Sequence, residues 1–257
     1  MKKIVYYTNE LTDEVVNFNV KAKTIDKHFN YSNNNIFLKI LRFLIIRIIV
    51  LPFVLAYYKL IKRVKIHNIH LIKQFKEKGF FIYSNHTNQY GDAFLPTLIC
   101  LPRSIKIIVN PDNISIPVLG QIIKLCGAIP IPNTIEASKN FYAEITSSIK
   151  NHPIIIFPEA HLWPYYTKIR PFSAVSFRYP IKYNKPIFVF TTVYKLRKPN
   201  KKPKIEIYID GPIYPNQTLH TKQAQYELRD TAYSIMKNRS KNSNYEYIKY
   251  VKRTNND

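Results

Sequence analysis

The sequence predicts an α/β fold: a layered sheet with flanking helices, preceded by an N-terminal membrane-docking helical segment. Three observations carry the prediction. Short apolar runs rich in β-branched residues recur through the chain, among them PIIIF and PIFVFTTV. Segments of helical period lie between those runs, and strands alternating with helices argue for layers. Ahead of the first run stands the most apolar stretch of the chain, IFLKILRFLIIRIIVLPFVLAYYKLIKR, over residues 36–63.

In chain order, residues 1–34 read as a polar lead-in with room for one short strand. MKKIVYYTNELTDEVV starts basic, but no continuous apolar region follows it, so it does not read as a signal peptide. Residues 35–62 read as membrane-associated helices. Lys39, Arg42 and Arg47 interrupt them, and the charge-free run from Ile48 to Tyr58 is only 11 residues. A spanning helix needs about 20. At 100° per residue the three cations share an arc of about 140°, and the rest of the wheel is apolar. That pattern suits a helix lying in a membrane interface with its cations among headgroups. Pro52 kinks this segment or splits it into two helices. The alternative is a helix packed on its own core, yet the near-total apolarity from 43 to 58 exceeds what one packed face needs.

A core domain then runs over residues 63–238. FFIYS (80–84), SIKIIVN (104–110), PIIIF (153–157) and PIFVFTTV (186–193) read as strands, the last two as buried central ones. IEIYID (205–210) alternates, as a half-exposed or edge strand does. FYAEITSSIK (141–150) and AQYELRDTAYSIM (224–236) read as helices, the second with Ala224, Leu228, Ala232, Ile235 and Met236 on one face. Residues 239–257 read as a basic, frayed tail.

The chain has 257 residues, enough for one substantial α/β domain with an appendage. Lys and Arg number 39 against 16 acidic residues, a formal charge of +23. Such a charge implies an anionic partner: nucleic acid, anionic lipid or an acidic carrier protein. Cys100 and Cys126 have no CxxC neighbour and read as reduced core residues of an intracellular protein. The five glycines form no GxGxxG, P-loop or GxSxG, and HExxH is absent. An ordinary nucleotide-binding enzyme, serine hydrolase or zinc protease is therefore excluded. His67 and His70 are three apart without a third ligand and read as solvent-facing.

Two polar clusters each follow a strand directly: NHTNQYGD after FFIYS, and PEAHLWPYYTKIR after PIIIF. Open α/β sheets bind ligands beyond the carboxyl ends of their strands. In the first cluster His86 and Asp92 could pair. A neutral imidazole takes a proton from an attacking alcohol, and a carboxylate on its other nitrogen fixes the tautomer. The plain alternative is a polar loop with a capping Asp. No Ser or Cys nucleophile is obvious nearby, so transfer would be direct. Glu159 follows the second buried strand, as a site carboxylate or as a turn or N-cap carboxylate.

NHTNQYGD, then VLG…GAIPIPN, then IIIFPEA, then KPIFVFTTV resembles the glycerolphosphate/lysophosphatidate acyltransferase family of phospholipid biosynthesis, over roughly residues 63–213. That family shows an Asn-His-x4-Asp block, a Gly-x-Ile-x-Ile-x-Arg block, a Phe-Pro-Glu-Gly-x-Arg block and an apolar strand containing Pro, in this order. The resemblance implies that His86 and Asp92 are catalytic and that Asn85 and Glu159 bind substrate. It implies a membrane-associated enzyme moving a fatty acyl chain from acyl-CoA or acyl-carrier protein to a hydroxyl of a glycerolipid or lysophospholipid. Its partners would be membrane lipid and that acyl donor, with no further cofactor, no metal and no nucleic acid. Its place would be the cytoplasmic face of the cell membrane, peripheral or anchored through residues 36–62.

Three departures accompany the match. His86 and Asp92 have five residues between them, not four. On a continuous helix that puts them about 240° apart, so they meet only if the extra residue bulges, which Gly91 permits. Asn133 stands where the second block has Arg, and Leu162 where the third has Arg. The family would hold the acceptor's phosphate with those arginines, and Asn or Leu cannot replace an Arg fork. His161, Lys168 and Arg170 are the nearby candidates for a substitute, or else a basic surface loop. Trp163, Tyr165 and Tyr166 form a lip at the membrane interface or pack within the loop. Two other readings stay open. The altered blocks suit a non-catalytic lipid-binding relative. The charge and the 20 tyrosines suit a basic nucleic-acid-binding protein, which leaves residues 36–63 unexplained.

Overall fold

The computed structural model describes residues 3–16, 20–31, 37, 40, 43–89, 91–92, 94–117, 119–198 and 201–253. Strand β1 (Lys3–Tyr7) opens it. After an irregular lead-in comes a helical run: a π turn over Ile45–Val50, helix α1 (Leu51–Ala56) and a second π turn over Tyr57–Ile61. Then follow β2 (Lys65–His67), α2 (His70–Gln74), β3 (Phe81–Ser84), α3 (Leu95–Cys100), β4 (Lys106–Val109), α4 (Pro111–Ser115), α5 (Leu119–Leu125) and β5 (Ala128–Pro130). The chain continues through α6 (Ile135–Ser148), β6 (Ile154–Ile156), α7 (Arg178–Tyr183), β7 (Ile187–Lys195), β8 (Lys204–Ile213), α8 (Thr221–Ser240) and β9 (Ile248–Lys252).

Seven strands make one sheet in the order β2-β8-β7-β3-β6-β4-β5, parallel except for the antiparallel pair β7–β8. The apolar runs are continuous because both sheet faces are covered. Alternate residues go to opposite layers. Phe81, Tyr83, Ile154, Ile156, Ile187 and Val189 pack with Phe141 and Ile145 of α6 and with Leu228, Ala232 and Met236 of α8. Ile82, Ile155, Phe188 and Phe190 pack on the other side with Ile72, Leu95, Ile99 and Cys100. Gly79, just before β3, lies under the loop after α6. A Cβ there would stand 1.5 Å from the Ile149 carbonyl oxygen, so only glycine lets the backbones approach. The α/β sheet with flanking helices is thus the predicted one. Cys100 is buried and Cys126 half-buried.

Three sequence expectations are corrected. IEIYID is not an edge strand, because the three-residue β2 pairs with β8 from Lys65↔Glu206 to His67↔Tyr208 and takes the edge itself. The same pairing withdraws His67 from solvent: its Nε2 lies 2.9 Å from the Glu206 carboxylate and its ring stacks on Tyr208 at 4.2 Å. Nor are the described residues of the tail, 239–253, frayed. Strand β9 pairs in parallel with β1, Lys3↔Ile248 through Tyr7↔Lys252, in a separate two-stranded ribbon.

The helical run meets the domain along one face. Leu51 and Tyr58 are buried, and Tyr58 joins the second core layer with Val54 beside it. Arg47 donates to the Pro102 carbonyl and to Ser104 Oγ, at 3.1 Å for the latter. It therefore grips its own domain rather than reaching outward, while Lys39 and Arg42 lie outside the described residues. Pro52 sits at the second residue of α1, directly after the first π turn. The backbone stays helical on both sides of it through π turns, so the segment is not split. Phe53, Leu60 and Ile48 are 74%, 68% and 63% exposed. Among the described residues no helix is long and apolar enough to cross a membrane.

Candidate active site

Strands β3 and β6 are parallel neighbours, paired from Phe81↔Ile154 to Tyr83↔Ile156. Their carboxyl ends release the loops that begin at Asn85 and Phe157 side by side, which brings the two polar clusters together. The first residue out, Asn85, is buried and staples β3 to β7: its Nδ2 donates to the Thr192 carbonyl at 3.0 Å and its Oδ1 accepts the Thr192 N–H at 2.8 Å. Both ends of that amide are engaged. In this geometry Asn85 fastens the two strands.

His86 follows. Its Nδ1 lies 2.7 Å from Asp92 Oδ2, and its ring stacks on Phe157 with centroids 4.5 Å apart. The sequence does bring the pair together, though not through a bulged helix. Helix α3 begins only at Leu95; before it, the Asn88 carbonyl accepts the N–H groups of Gly91 and Asp92, at 2.9 Å each. That turn reverses the chain, and the extra residue costs no register because no helix is interrupted. A Cβ on Gly91 would stand 1.9 Å from Asn88 Nδ2, so glycine keeps the turn closed.

Asp92 is buried, which pushes its carboxyl up from the usual range. The His86 hydrogen bond and charge and the Asn88 N–H, 3.1 Å from Oδ2, pull it back. A carboxylate accepting from Nδ1–H leaves the lone pair on Nε2. Among the described residues none hydrogen-bonds Nε2, and the imidazole keeps 20% of its surface exposed. The pair therefore presents a base toward solvent with its rear nitrogen held.

The second loop supports the first. Glu159 Oε2 accepts the His86 backbone N–H at 2.9 Å, and Oε1 accepts the Arg170 N–H at 2.8 Å. Its buried carboxyl is raised by desolvation and lowered by the Arg170 charge and these two N–H groups. Arg170 is wholly buried, 3.6 Å from Glu159, and lies over the Trp163 ring at 4.7 Å. Its guanidinium also donates to the carbonyls of Glu10, at 3.3 Å, and His161. Glu159 and Arg170 are both buried and bonded within the two loops, where they act as internal struts. His161 pairs with Glu14 at 3.3 Å, and Lys168 is exposed.

Trp163 and Tyr166 are buried, which removes them from a membrane lip. The Trp163 Nε1–H donates to the Asp13 carbonyl at 2.8 Å, and its ring stacks on Tyr250 at 5.2 Å. Asn133 is likewise committed, its Oδ1 accepting the Ile25 N–H at 2.7 Å and its own N–H donating to the Ile25 carbonyl at 3.1 Å. Sequence reasoning missed Phe157 as the platform under the imidazole. It also missed Tyr194, whose hydroxyl donates to the Thr87 carbonyl at 2.8 Å. Phe157 read only as a strand end, and no local signal marks Tyr194.

Comparison with known proteins fits this geometry. The profile of the family described as Acyltransferase matches residues 63–195, just over half of the chain, and includes both loops. Among solved structures the chain is similar to the 1-acyl-sn-glycerophosphate (LPA) acyltransferase PlsC from Thermotoga maritima. The sequence identity is 14%, the TM-score 0.49, and the match covers 68% of this chain and 71% of that one. No curated protein sequence matches. With the His86–Asp92 pair and the Phe157-Pro158-Glu159 loop both inside the matched residues, as the four sequence blocks imply, the chain belongs to the acyltransferase family.

Proposed function

We propose that the protein moves a fatty acyl chain from a thioester, acyl-CoA or acyl-carrier protein, to a hydroxyl of a membrane glycerolipid or lysophospholipid, with His86 as general base. The observation that carries this reading is the 2.7 Å contact of His86 Nδ1 with the buried Asp92 carboxylate, which leaves Nε2 as the basic nitrogen. Nε2 takes the proton of the acceptor hydroxyl as its oxygen attacks the thioester carbonyl. The C–O bond forms, the C–S bond breaks, and the proton passes from the imidazolium to the leaving thiolate. Asp92 stabilises the imidazolium meanwhile.

The exposed apolar side of the helical run supports docking in one leaflet of the cytoplasmic membrane face, near its lipid acceptor. Exposed Lys168, on the loop beside the site, supports an anionic headgroup on that acceptor. Purified protein in liposomes, given radiolabelled acyl-CoA or acyl-carrier protein and a panel of lysolipids, monoacylglycerol and glycolipids, tests the reaction. Wild type should label one lipid, and His86→Ala should lose on the order of 10²–10⁴-fold in kcat with its fold intact. An equally active His86→Ala sinks the mechanism, and no labelled lipid with any donor sinks the reaction. Lys168→Ala should raise KM for a phosphorylated acceptor and leave kcat in place.

A further inference from the structure

The buried Arg170 is not needed to close a core, because apolar residues do that better than an ion pair. Its contacts run in two directions. Toward the site its guanidinium lies 3.6 Å from Glu159 Oε2, the same oxygen that accepts the His86 N–H, while its backbone N–H donates to Oε1. Away from the site, its guanidinium reaches the Glu10 carbonyl and lies over Trp163, whose indole N–H is held by the Asp13 carbonyl. The Trp163 backbone N–H donates to the His86 carbonyl at 3.1 Å, and the Tyr165 backbone N–H to the Thr87 carbonyl at 2.8 Å. The backbone of His86 is thus gripped on both its N–H and its C=O by one loop. That loop is itself fastened to residues 10–14.

Residues 8–13 are closed by one side chain. The Asp13 carboxylate accepts the N–H groups of Thr8 and Asn9, at 2.6 and 3.2 Å, and the Thr8 hydroxyl. Those backbone bonds hold its carboxyl below the usual range. The loop follows β1, which β9 pairs, and Tyr250 of β9 stacks on Trp163 while its hydroxyl donates to the Pro164 carbonyl at 2.8 Å.

We propose that Arg170 is a positioning residue, which transmits the placement of the β1–β9 ribbon and the 8–13 loop through Glu159 to the His86 base. This rests on the acyl-transfer reading for its kinetic half only. Two variants test it: Arg170→Lys, which keeps charge but loses the planar fork, and Asp13→Ala, which loosens the outer loop from a half-buried position outside the site. Each is measured for melting temperature, for kcat and KM of both substrates, and for the low-field His86 Nδ1–H proton resonance, assigned by its loss in His86→Ala.

Both variants should lower kcat, Asp13→Ala on the order of 10-fold and Arg170→Lys 100-fold, with KM of each substrate nearly unchanged. The Nδ1–H resonance should shift or broaden in both. A raised acceptor KM with unchanged kcat in Arg170→Lys would mean that Arg170 touches substrate, and overturns the proposal. Wild-type kcat and resonance in folded variants overturn it too. If Arg170→Lys does not fold, Asp13→Ala decides by the same readings. If wild type transfers no acyl group at all, the reaction proposed above fails, and the resonance alone decides on positioning.

Discussion

Asp92→Asn is the most informative single change at the imidazole. Asparagine fits the space, but its amide can donate to Nδ1 and so favour the tautomer with the proton on Nε2, where the base is needed. We expect kcat to fall about 10³–10⁴-fold with the melting temperature close to wild type, measured by acyl transfer and calorimetry. Nearby, Ala160 stands at φ 62°, a left-handed conformation that disfavours any Cβ by about 1–2 kcal/mol. The family's third block has glycine there. Ala160→Gly should stabilise the protein by about 0.5–1 kcal/mol in urea unfolding, once the looser unfolded chain is counted. At this scale the sequence was legible where chemistry is local: His86 and Asp92 could be named from one decapeptide. It was not legible for Asn85, Glu159 and Arg170, because what each side chain holds lies in a distant segment.

Among the elements, the long apolar strands announced themselves, while β2 and β5, three residues each, are too short for any period to show. They exist because β8 and β4 supply their partners. The β2–β8 edge carries its own pH dependence. Burial pushes the Glu206 carboxyl up, but the His67 hydrogen bond and charge and the Lys204 charge outweigh this and hold it below the usual range. A carboxyl lowered in the folded state stabilises above the unfolded value of about 4.3, and that contribution is lost as pH falls through the folded value. In acid titrations of melting temperature, wild type should therefore drop more steeply below about pH 4 than Glu206→Gln. Equal slopes would mean the contact contributes nothing. The helical run makes a second element-scale prediction. Phe53→Glu with Leu60→Glu should abolish co-sedimentation with liposomes without altering the melting temperature, since both side chains are exposed. Arg47, read as a headgroup cation, was misjudged for a physical reason: a helical wheel assigns faces but not neighbours.

Over the whole molecule, the charge of +23 is a long-range property that no contact expresses. Attraction to anionic vesicles should weaken steeply with salt, as the Debye length shrinks from about 10 Å at 0.1 M to 3 Å at 1 M. Binding that persists unchanged at 1 M salt would assign docking to the apolar face alone. The layered class was readable from composition and alternation because a sheet covered on both faces must be written in continuous apolar runs. The ribbon was not, since β1 and β9 are short, stand far apart in the sequence, and each means nothing without the other. Their pairing also sets a clock. During synthesis β9 is made after every other described element, and Tyr250 must arrive before the Trp163 loop can close on His86. The sheet can form while the chain is still growing, but the loop that grips the His86 backbone lacks its Tyr250 contact until the pairing of Lys3 with Ile248 joins early chain to late. A nascent chain on the ribosome would carry the fold of an acyltransferase before it could act as one.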